Sequence, residues 1–336
     1  MRIAINGFGR IGRSFFRLAF GDPKINIVGI NDLADLENLA YLLEHDTVYG
    51  KYEKDIKTHL EETKKELIID GQIIPFFTEK DPKNLPWEDL KIDLVIESTG
   101  AFSDYSKAKD HIKAGAKKVI ITAPVKEEEG KEGRTVLVGI NDEEFDRFNI
   151  ISNGSCTTNA VAPVIKVLEE SVGVEKAILN TVHAYTSTQR SVDSPNSSDW
   201  RRGRAASQNI IPSTTGAAKC VTKVIKSLEN KFDGIALRVP VVCGSIADIT
   251  FVSKKPTSVE EINEIFKKAV QDIKWKGILE IADDSLVSSD IVGTSAPAII
   301  DLGFTNVVDK DLVKVLVWYD NEWAYSSTLL KQIKKI

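Results

Sequence analysis

The sequence is poor in the residues that build metal centres and disulfide frameworks. Its 336 residues include only three cysteines and four histidines, and neither set shows CxxC or metal-ligand spacing. No apolar run approaches the roughly 20 residues that a membrane-spanning helix requires, and the first residues enter a strand without a signal-peptide pattern. We therefore expect no metal, no membrane partner and a reducing, cytoplasmic setting.

An excess of positive charge is also absent. The formal net charge of −5 argues against a nucleic acid or an anionic membrane surface as the main partner. Apolar residues make up 42% of the chain and charged residues 28%, which is typical of globular domains. A chain of this length corresponds to about two domains.

What the sequence does contain is a glycine-rich turn between a strand and a helix. The strand Arg2 to Ile5 runs into Gly7–Gly12, which reads Gly-Phe-Gly-Arg-Ile-Gly, and an apolar helical stripe follows. Asp32 stands twenty positions after Gly12, at the end of the next predicted strand. The turn fits a pyrophosphate at the helix N-terminus, and the carboxylate fits a ribose hydroxyl. Because that carboxylate would repel a 2′-phosphate, the pattern predicts NAD rather than NADP.

Strands and helices alternate through residue 150, and the predicted strands include one over 135–140. This alternation predicts an α/β, Rossmann-type first domain over 1–154 with a largely parallel, doubly wound sheet. Ligands of such sheets bind at the carboxyl ends of the strands, so Thr99 and Thr122 are candidates to line the groove.

The pattern changes after residue 155. Long strand-like runs are interrupted by two substantial helices, near 215–228 and over 259–273, which predicts an α+β catalytic domain over 155–320 with a mostly antiparallel sheet. A helix over 321–336 is expected to pack back on the first domain. The polar segment 185–211 has little periodicity and is long enough to suggest a functional loop.

Cys156 lies where an apolar strand and the turn at Asn153-Gly154 meet a predicted helix. In the first turn of that helix, unpaired N–H groups and the helix dipole favour an anion, so the thiol pKa should be lowered. A small buried hydrophobic residue is the alternative interpretation. The neighbouring hydroxyls of Ser155, Thr157 and Thr158 favour a nucleophile instead.

His183 ends a predicted strand and is a candidate partner for that thiol. A cysteine nucleophile needs a base or an imidazolium within hydrogen-bond reach, although spacing alone cannot establish the contact. Anion sites can also be built from donors at strand ends and helix starts. The candidates for such sites are Arg238, Thr186, Thr215, Gly216, Ser155 and Thr157, with a surface ion pair as the alternative for Arg238.

Taken together, these stretches closely resemble phosphorylating glyceraldehyde-3-phosphate dehydrogenases along essentially the whole chain. The matching segments are 5–13, 155–159, 183–186, 215–219, 238–240 and 319–323. The resemblance implies that Cys156 attacks the aldehyde, that His183 removes a proton as hydride passes to NAD, and that inorganic phosphate releases an acyl phosphate.

The resemblance also implies roles for further residues. Gly7, Gly9, Arg10, Ile11, Gly12, Asp32, Thr99, Thr122, Asn321 and Tyr325 would bind the cofactor, with Asn321 on the nicotinamide carboxamide. Thr186, Arg202 and Arg238 would hold the substrate phosphate, and Ser155, Thr157, Thr215 and Gly216 would hold inorganic phosphate. Residues 185–210 would form a loop that packs against a neighbour's cofactor in a homotetramer.

The chain departs from the family at one turn near these residues. Val241–Ser245 stands where Thr-Pro-Asn or a similar sequence usually follows Arg-Val-Pro. Two alternatives stay open at this point: erythrose-4-phosphate dehydrogenase, which usually lacks the segment found here at 215–219, and a catalytically silent NAD-binding regulator, against which the intact Cys156/His183 pair speaks.

Overall fold

A computed structural model describes residues 1–282 and 284–335 of the chain. The chain divides into two compact units. The first comprises Met1–Val136, Asp142–Gly154 and the C-terminal residues from Leu329, and the second comprises Leu137–Asn141 and Ser155–Thr328. The observed division differs from the predicted one at two segments. Residues 137–141 and the first part of the C-terminal helix belong to the second unit.

The first unit is built on a mainly parallel sheet with helices in its crossovers. Its strands are β1 Arg2–Asn6, β2 Asn26–Asn31, β3 His45–Asp46, β4 Gly50–Lys51, β5 Ile56–Leu60, β6 Lys65–Ile69, β7 Gln72–Phe77, β8 Leu94–Glu97, β9 Lys118–Ile121, β10 Arg134–Thr135 and β11 Ile150–Ser152. Its helices are α1 Arg10–Ala19, α2 Leu36–Glu44 and α3 Tyr105–Lys113.

The order of the main sheet is β10-β11-β9-β8-β1-β2-β7-β6-β5. All pairings from β10 to β7 are parallel, and β7, β6 and β5 form antiparallel hairpins at one edge. Asp70 and Gly71 both have positive φ in the turn between β6 and β7, as a tight hairpin requires. The prediction of a largely parallel, doubly wound sheet is confirmed.

The strand predicted over 135–140 is wrong beyond Thr135. Leu137 to Asn141 forms a turn in which Asn141 Oδ1 accepts a hydrogen bond from the Leu137 amide at 2.9 Å and Gly139 has a φ of +79°. Leu137 and Val138 are nevertheless buried. The apolar run thus reflects packing in a core, and a short apolar run cannot by itself distinguish that from a strand.

The described residues of the second unit form a mostly antiparallel sheet and four α-helices. Its strands are β12 Val174–Ala184, β13 Ile211–Thr214, β14 Phe232–Val239, β15 Ser245–Ser253, β16 Leu279–Ile281, β17 Ala298–Val308 and β18 Leu312–Tyr319, in the order β13-β14-β12-β15-β18-β17-β16. Its helices are α4 Cys156–Ser171, α5 Ala217–Val224, α6 Val259–Ala269 and α7 Trp323–Ile333, the last of which continues into the first unit.

In the described part of this sheet, the β12–β14 and β16–β17 pairings are parallel and the other pairings are antiparallel, so the predicted α+β fold of the second domain is confirmed. Helix α4 presents Val161, Val164, Ile165 and Leu168 to the core of this unit, and all four are fully buried. This packing fixes the start of α4 on the sheet. Among the described residues, no helix is both long and apolar enough to cross a membrane.

Candidate active site

Cys156 is the first residue of α4, as predicted. Ser155 caps this helix, because its Oγ accepts a hydrogen bond from the Thr158 amide at 3.1 Å and contacts Thr158 Oγ1 at 2.8 Å. Gly154, with a φ of +66°, turns the chain between β11 and the cap. Cys156 therefore lies at a helix N-terminus, and the residue as a whole is half-buried.

The predicted histidine partner lies beside this thiol. His183 Nε2 is 3.4 Å from Cys156 Sγ. His183 is next to the last residue of β12, and the parallel register of β12 and β14 pairs it with Arg238. Strand pairing thus brings His183 beside Arg238, and the packing of α4 on the sheet brings Cys156 to His183.

The Nδ1 atom of His183 has two competing partners. The Ala184 carbonyl oxygen lies 2.7 Å away, and Arg238 Nη1 lies 2.5 Å away while also donating to that carbonyl at 3.0 Å. A proton on Nδ1 can be donated to the carbonyl, whereas an unprotonated Nδ1 can accept from the guanidinium. The two hydrogen bonds at Nδ1 are alternatives, and the first leaves Nε2 unprotonated toward the thiol.

Burial dominates the protonation of this pair. Desolvation, assisted by the Arg238 charge, lowers the pKa of His183 to about 3, so the imidazole is neutral at physiological pH. Desolvation also raises the pKa of the Cys156 thiol, while Arg238 and hydrogen bonds with Thr157 oppose that rise. The predicted low thiol pKa is therefore wrong for the resting molecule, because burial outweighs the helix N-terminus.

Two guanidinium groups near this pair have unused donors. Arg238 Nε and Arg202 Nε are buried, and neither has a hydrogen-bond partner among the described residues. Burial and, to a smaller extent, the charge of Arg202 lower the pKa of Arg238. Two neighbouring positive charges with buried, unpaired N–H groups are suited to an oxyanion.

A groove of about 790 Å³ in the first unit lies at the carboxyl ends of its parallel strands. Its lining includes Asn6, Gly7, Gly9, Asp32 and Thr99. A side chain on Gly7 would place Cβ 2.6 Å from the Thr99 amide nitrogen, and one on Gly12 would collide with the Gly7 carbonyl oxygen. At Gly9, by contrast, no atom of the described residues other than its two chain neighbours lies within 4 Å of the point that a Cβ would occupy, so its surface is open to a ligand.

Comparison with known proteins identifies the family to which these two units belong. Residues 1–105 match the family model described as the NAD binding domain of glyceraldehyde 3-phosphate dehydrogenase, and residues 155–321 match its C-terminal domain. The chain belongs to the glyceraldehyde-3-phosphate dehydrogenase family. This membership confirms the predicted family, fold class and enzyme class, and NAD as the cofactor.

Relatives of the same name align over nearly their full length. Glyceraldehyde-3-phosphate dehydrogenase of Borreliella burgdorferi is 47% identical over 100% of this chain and 99% of its own. That of Streptomyces coelicolor is 46% identical over 98% and 96%, respectively. Glyceraldehyde-3-phosphate dehydrogenase 2 of Bacillus subtilis is 45% identical over 100% of this chain and 96% of its own.

Arg10 and Asp32, two of the residues predicted to contact the cofactor, already make contacts within the protein. The Arg10 side chain forms an ion pair with Asp46 and lies over the Tyr49 ring, so it is already engaged within the protein. Arg10 and Ile11 both lie in the first turn of α1. Asp32 Oδ2 accepts from the Phe8 amide at 2.6 Å and Oδ1 from the Ala34 amide at 2.9 Å. Since the Gly7 and Phe8 amides already donate to the Asn31 carbonyl and to Asp32, the amides at the start of α1 are the part of this motif placed to donate to a ligand.

Thr99 and Thr122 both follow parallel strands, but only Thr99 is part of the groove lining. Thr99 donates to Glu97 Oε1 through its amide at 2.8 Å and through Oγ1 at 2.5 Å. Thr122 Oγ1 donates to the Glu97 carbonyl at 3.0 Å. Both hydroxyls therefore organise the ends of β8 and β9.

The predicted phosphate-binding residues of the second unit are held in different ways. Thr186 contacts Gln189 Oε1 through its amide at 2.9 Å and its hydroxyl at 3.1 Å. Thr215 Oγ1 accepts from the Ala217 amide at 3.2 Å, and Gly216 caps α5 with open space at its Cβ position. Thr157 Oγ1 lies 2.8 Å from the hydroxyl of Tyr319.

Tyr319 is a residue of this cluster that sequence reasoning missed. Its hydroxyl also contacts Thr181 Oγ1 at 2.8 Å, and its ring lies edge-on to His183 with centroids 5.9 Å apart. Burial raises the pKa of Tyr319, so the phenol is neutral. Tyr319 ends the apolar strand β18, and only its pairing with β15 brings it to the cluster.

A second missed cluster lies beneath the groove. Glu97 Oε2 accepts from Asn6 Nδ2 at 2.5 Å and lies 3.0 Å from His111 Nε2. The Trp87 indole donates to His111 Nδ1 at 3.0 Å, so the neutral ring carries its proton on Nε2 and donates to the carboxylate. These buried contacts link the end of β8 to the end of β1, next to the glycine turn.

The residues predicted to face the nicotinamide lie at the start of α7. Asn321 Oδ1 accepts from the Gly244 amide at 3.1 Å and from Ser245 Oγ at 2.8 Å. Tyr325 is buried, and burial raises its pKa well above the ordinary value. The divergent turn 241–245 is thus tied directly to Asn321.

Proposed function

We propose that the chain oxidises D-glyceraldehyde 3-phosphate with NAD and inorganic phosphate to 1,3-bisphosphoglycerate, through a thioester on Cys156, in glycolysis. The observation that carries this proposal is the 3.4 Å contact between Cys156 Sγ and His183 Nε2 beside the Arg238 guanidinium. A thiol, a neutral base and an anion-binding cation are the groups that this reaction requires.

The first step is attack of the Cys156 sulfur on the aldehyde carbon. His183 Nε2 takes the thiol proton and returns it to the carbonyl oxygen, giving a hemithioacetal. Because the thiol is protonated at rest, proton transfer to His183 has to accompany the attack. Burial lowers the pKa of His183 and so leaves the imidazole unprotonated before the attack. Its Nε2 lone pair is then available to accept the thiol proton when the ring proton lies on Nδ1.

NAD supplies the hydride acceptor for the second step. His183 Nε2 removes the hydroxyl proton of the hemithioacetal as hydride leaves its carbon, and the thioester remains on Cys156. Inorganic phosphate then attacks the thioester carbon, the C–S bond breaks, and the sulfur regains a proton from His183. Atoms and charge balance as aldehyde, phosphate and NAD give acyl phosphate, NADH and a proton.

Arg238 and Arg202, with Thr186, are proposed to bind the substrate phosphate. The Nε–H groups of the two arginines support this role, because both are buried and have no partner among the described residues. A bound phosphate would also draw the Arg238 guanidinium away from His183 Nδ1, which could then donate to the Ala184 carbonyl and leave Nε2 as a base. A phosphorylated aldehyde would thereby help to select the reactive tautomer of His183.

Ser155, Thr157, Thr215 and Gly216 are proposed to bind inorganic phosphate, and the hydroxyls and helix-start amides of these residues support an anion site. In the first unit, we propose that Gly7, Gly9, Arg10, Ile11 and Gly12 bind the pyrophosphate, chiefly through the backbone. Asp32 would accept from the adenosine ribose, and Thr99 and Thr122 would shape the groove. Asn321 and Tyr325 would position the nicotinamide.

We further propose a cytoplasmic homotetramer in which the segment 185–210 packs against a neighbouring subunit. Exposed apolar side chains of this segment, including Val192 and Trp200, support such a contact. Sedimentation of the purified chain tests it, and a monomer at micromolar concentration would contradict it.

The activity is tested by following NADH formation from glyceraldehyde 3-phosphate with and without inorganic phosphate. We expect sustained turnover only with phosphate, and a preference for NAD over NADP. Faster oxidation of erythrose 4-phosphate that does not depend on phosphate would support the erythrose-4-phosphate alternative. NAD binding without NADH formation from either aldehyde would support a silent regulator.

A further inference from the structure

The turn Val241–Ser245, where the sequence is expected to depart from the usual family pattern, contacts Asn321 through two donors. The Gly244 amide and Ser245 Oγ approach the same atom, Asn321 Oδ1, at 3.1 and 2.8 Å. Asn321 and Ser245 are both buried. Hydrogen bonds in such a position are strongly orienting, because an unpaired buried group is costly.

The proton on Ser245 can be assigned from its other partner. The Ala184 amide donates to Ser245 Oγ at 3.1 Å, so this hydroxyl accepts once and keeps its own proton for Asn321. A backbone amide such as that of Gly244 can only donate. The side-chain oxygen of Asn321 must therefore face the turn, and its amide nitrogen must face away.

Glycine is required at position 244, immediately before Ser245. Gly244 has a φ of +90°, and a Cβ at this position would collide with the Ser288 carbonyl oxygen. A residue with a side chain could not keep the backbone amide in this place. The turn sequence is thus matched to the hydrogen bond that it makes with Asn321.

We propose that Ser245 is a positioning residue that fixes the amide orientation of Asn321, so that Asn321 Nδ2 donates to the carbonyl oxygen of the nicotinamide carboxamide. This inference rests on the proposed role of Asn321 in cofactor binding. Ser245 acts through Asn321 and does not itself touch the cofactor. The altered turn is then part of the selection of the bound nicotinamide orientation.

The test compares the dissociation constants of NAD and ADP-ribose, which lacks the nicotinamide, in the full-length protein. Ser245→Ala should raise the Kd for NAD about five- to tenfold, the equivalent of about one lost hydrogen bond. The Kd for ADP-ribose should change less than about twofold, which also shows that the variant is folded. Ser245→Thr should recover NAD binding, since it retains a hydroxyl.

Ser213→Ala is the matched control, because Ser213 Oγ is buried in the same sheet without a hydrogen-bond partner. Asn321→Ala should weaken NAD binding as Ser245→Ala does, and the double variant should lose no more than Asn321→Ala alone. Equal weakening of ADP-ribose, or a further loss in the double variant, would overturn the proposal. An unchanged NAD affinity in Asn321→Ala would instead remove the role of Asn321, and the proposal with it.

Discussion

The groove of the first unit and the cysteine cluster of the second unit are constructed from different parts of the chain. The groove depends on backbone: Gly9 leaves an open surface, and the first turn of α1 offers amides. The cluster depends on side chains, because His183 lies within hydrogen-bond distance of both Cys156 and Arg238. Ligand binding through backbone amides tolerates many side-chain substitutions. A reaction that depends on individual side chains is lost when one of them is replaced.

The largest expected effect separates the chemistry of the second unit from binding by the first. Cys156→Ser should reduce phosphorylating oxidation on the order of a thousandfold or more, because the nucleophile is removed. The Kd for NAD should stay near the wild-type value. Cys220→Ser, a change at another cysteine of the second unit, is the control for loss of a thiol. Residual turnover of a tenth would contradict the nucleophile assignment.

The next effect tests whether the unpaired guanidinium donors serve the substrate phosphate. Arg238→Gln should lower kcat/KM for glyceraldehyde 3-phosphate about 10- to 100-fold, as expected for loss of charged hydrogen bonds. Turnover of unphosphorylated glyceraldehyde should change much less. Arg201→Gln is the control, since Arg201 is exposed and paired with Asp199. Equal losses on both aldehydes would show that Arg238 acts on the chemistry and not on the phosphate.

The backbone character of the groove is tested by two glycine substitutions. Gly9→Ala should leave the melting temperature unchanged and weaken NAD about five- to tenfold, because its methyl group enters space that a ligand would use. Gly12→Ala should instead lower the melting temperature, since its Cβ would collide with the Gly7 carbonyl. If Gly9→Ala destabilises the fold as much as Gly12→Ala, the contrast between the two positions is lost.

The two regions also differ in how far they can be predicted from sequence. The groove is encoded locally, since Gly7–Gly12 and Asp32 lie within one strand-helix-strand unit, and its main features follow from that pattern. Thr157 and Tyr319 are separated by 162 positions, and they meet because helix α4 packs on the sheet that contains β18. No local pattern indicates such a contact, and the same holds for Ser245 with Asn321.

The incorrect predictions share one physical cause, which is burial. The apolar run 135–140 favours a strand, yet its Leu137 and Val138 serve a core from a turn. The helix N-terminus alone predicts a low pKa for Cys156, whereas desolvation raises that pKa. Sequence identifies which groups are neighbours along the chain but not how much water each retains.

The remaining prediction concerns stability, not activity or binding, and it tests burial in the cluster directly. Below pH 6.5 an unfolded histidine binds a proton, whereas His183, with its pKa lowered to about 3, stays neutral in the folded state. Stability should therefore fall as pH decreases from 6.5 toward 3, by about 1.4 kcal/mol per pH unit from this residue.

His183→Gln should remove that component from the pH dependence of urea unfolding. His59→Gln, on the exposed hairpin formed by β5 and β6, should retain it. If the free energy of unfolding depends on pH in the same way in wild type and His183→Gln, the imidazole titrates alike in the folded and unfolded states. Burial would then not explain why His183 is neutral in the proposed reaction.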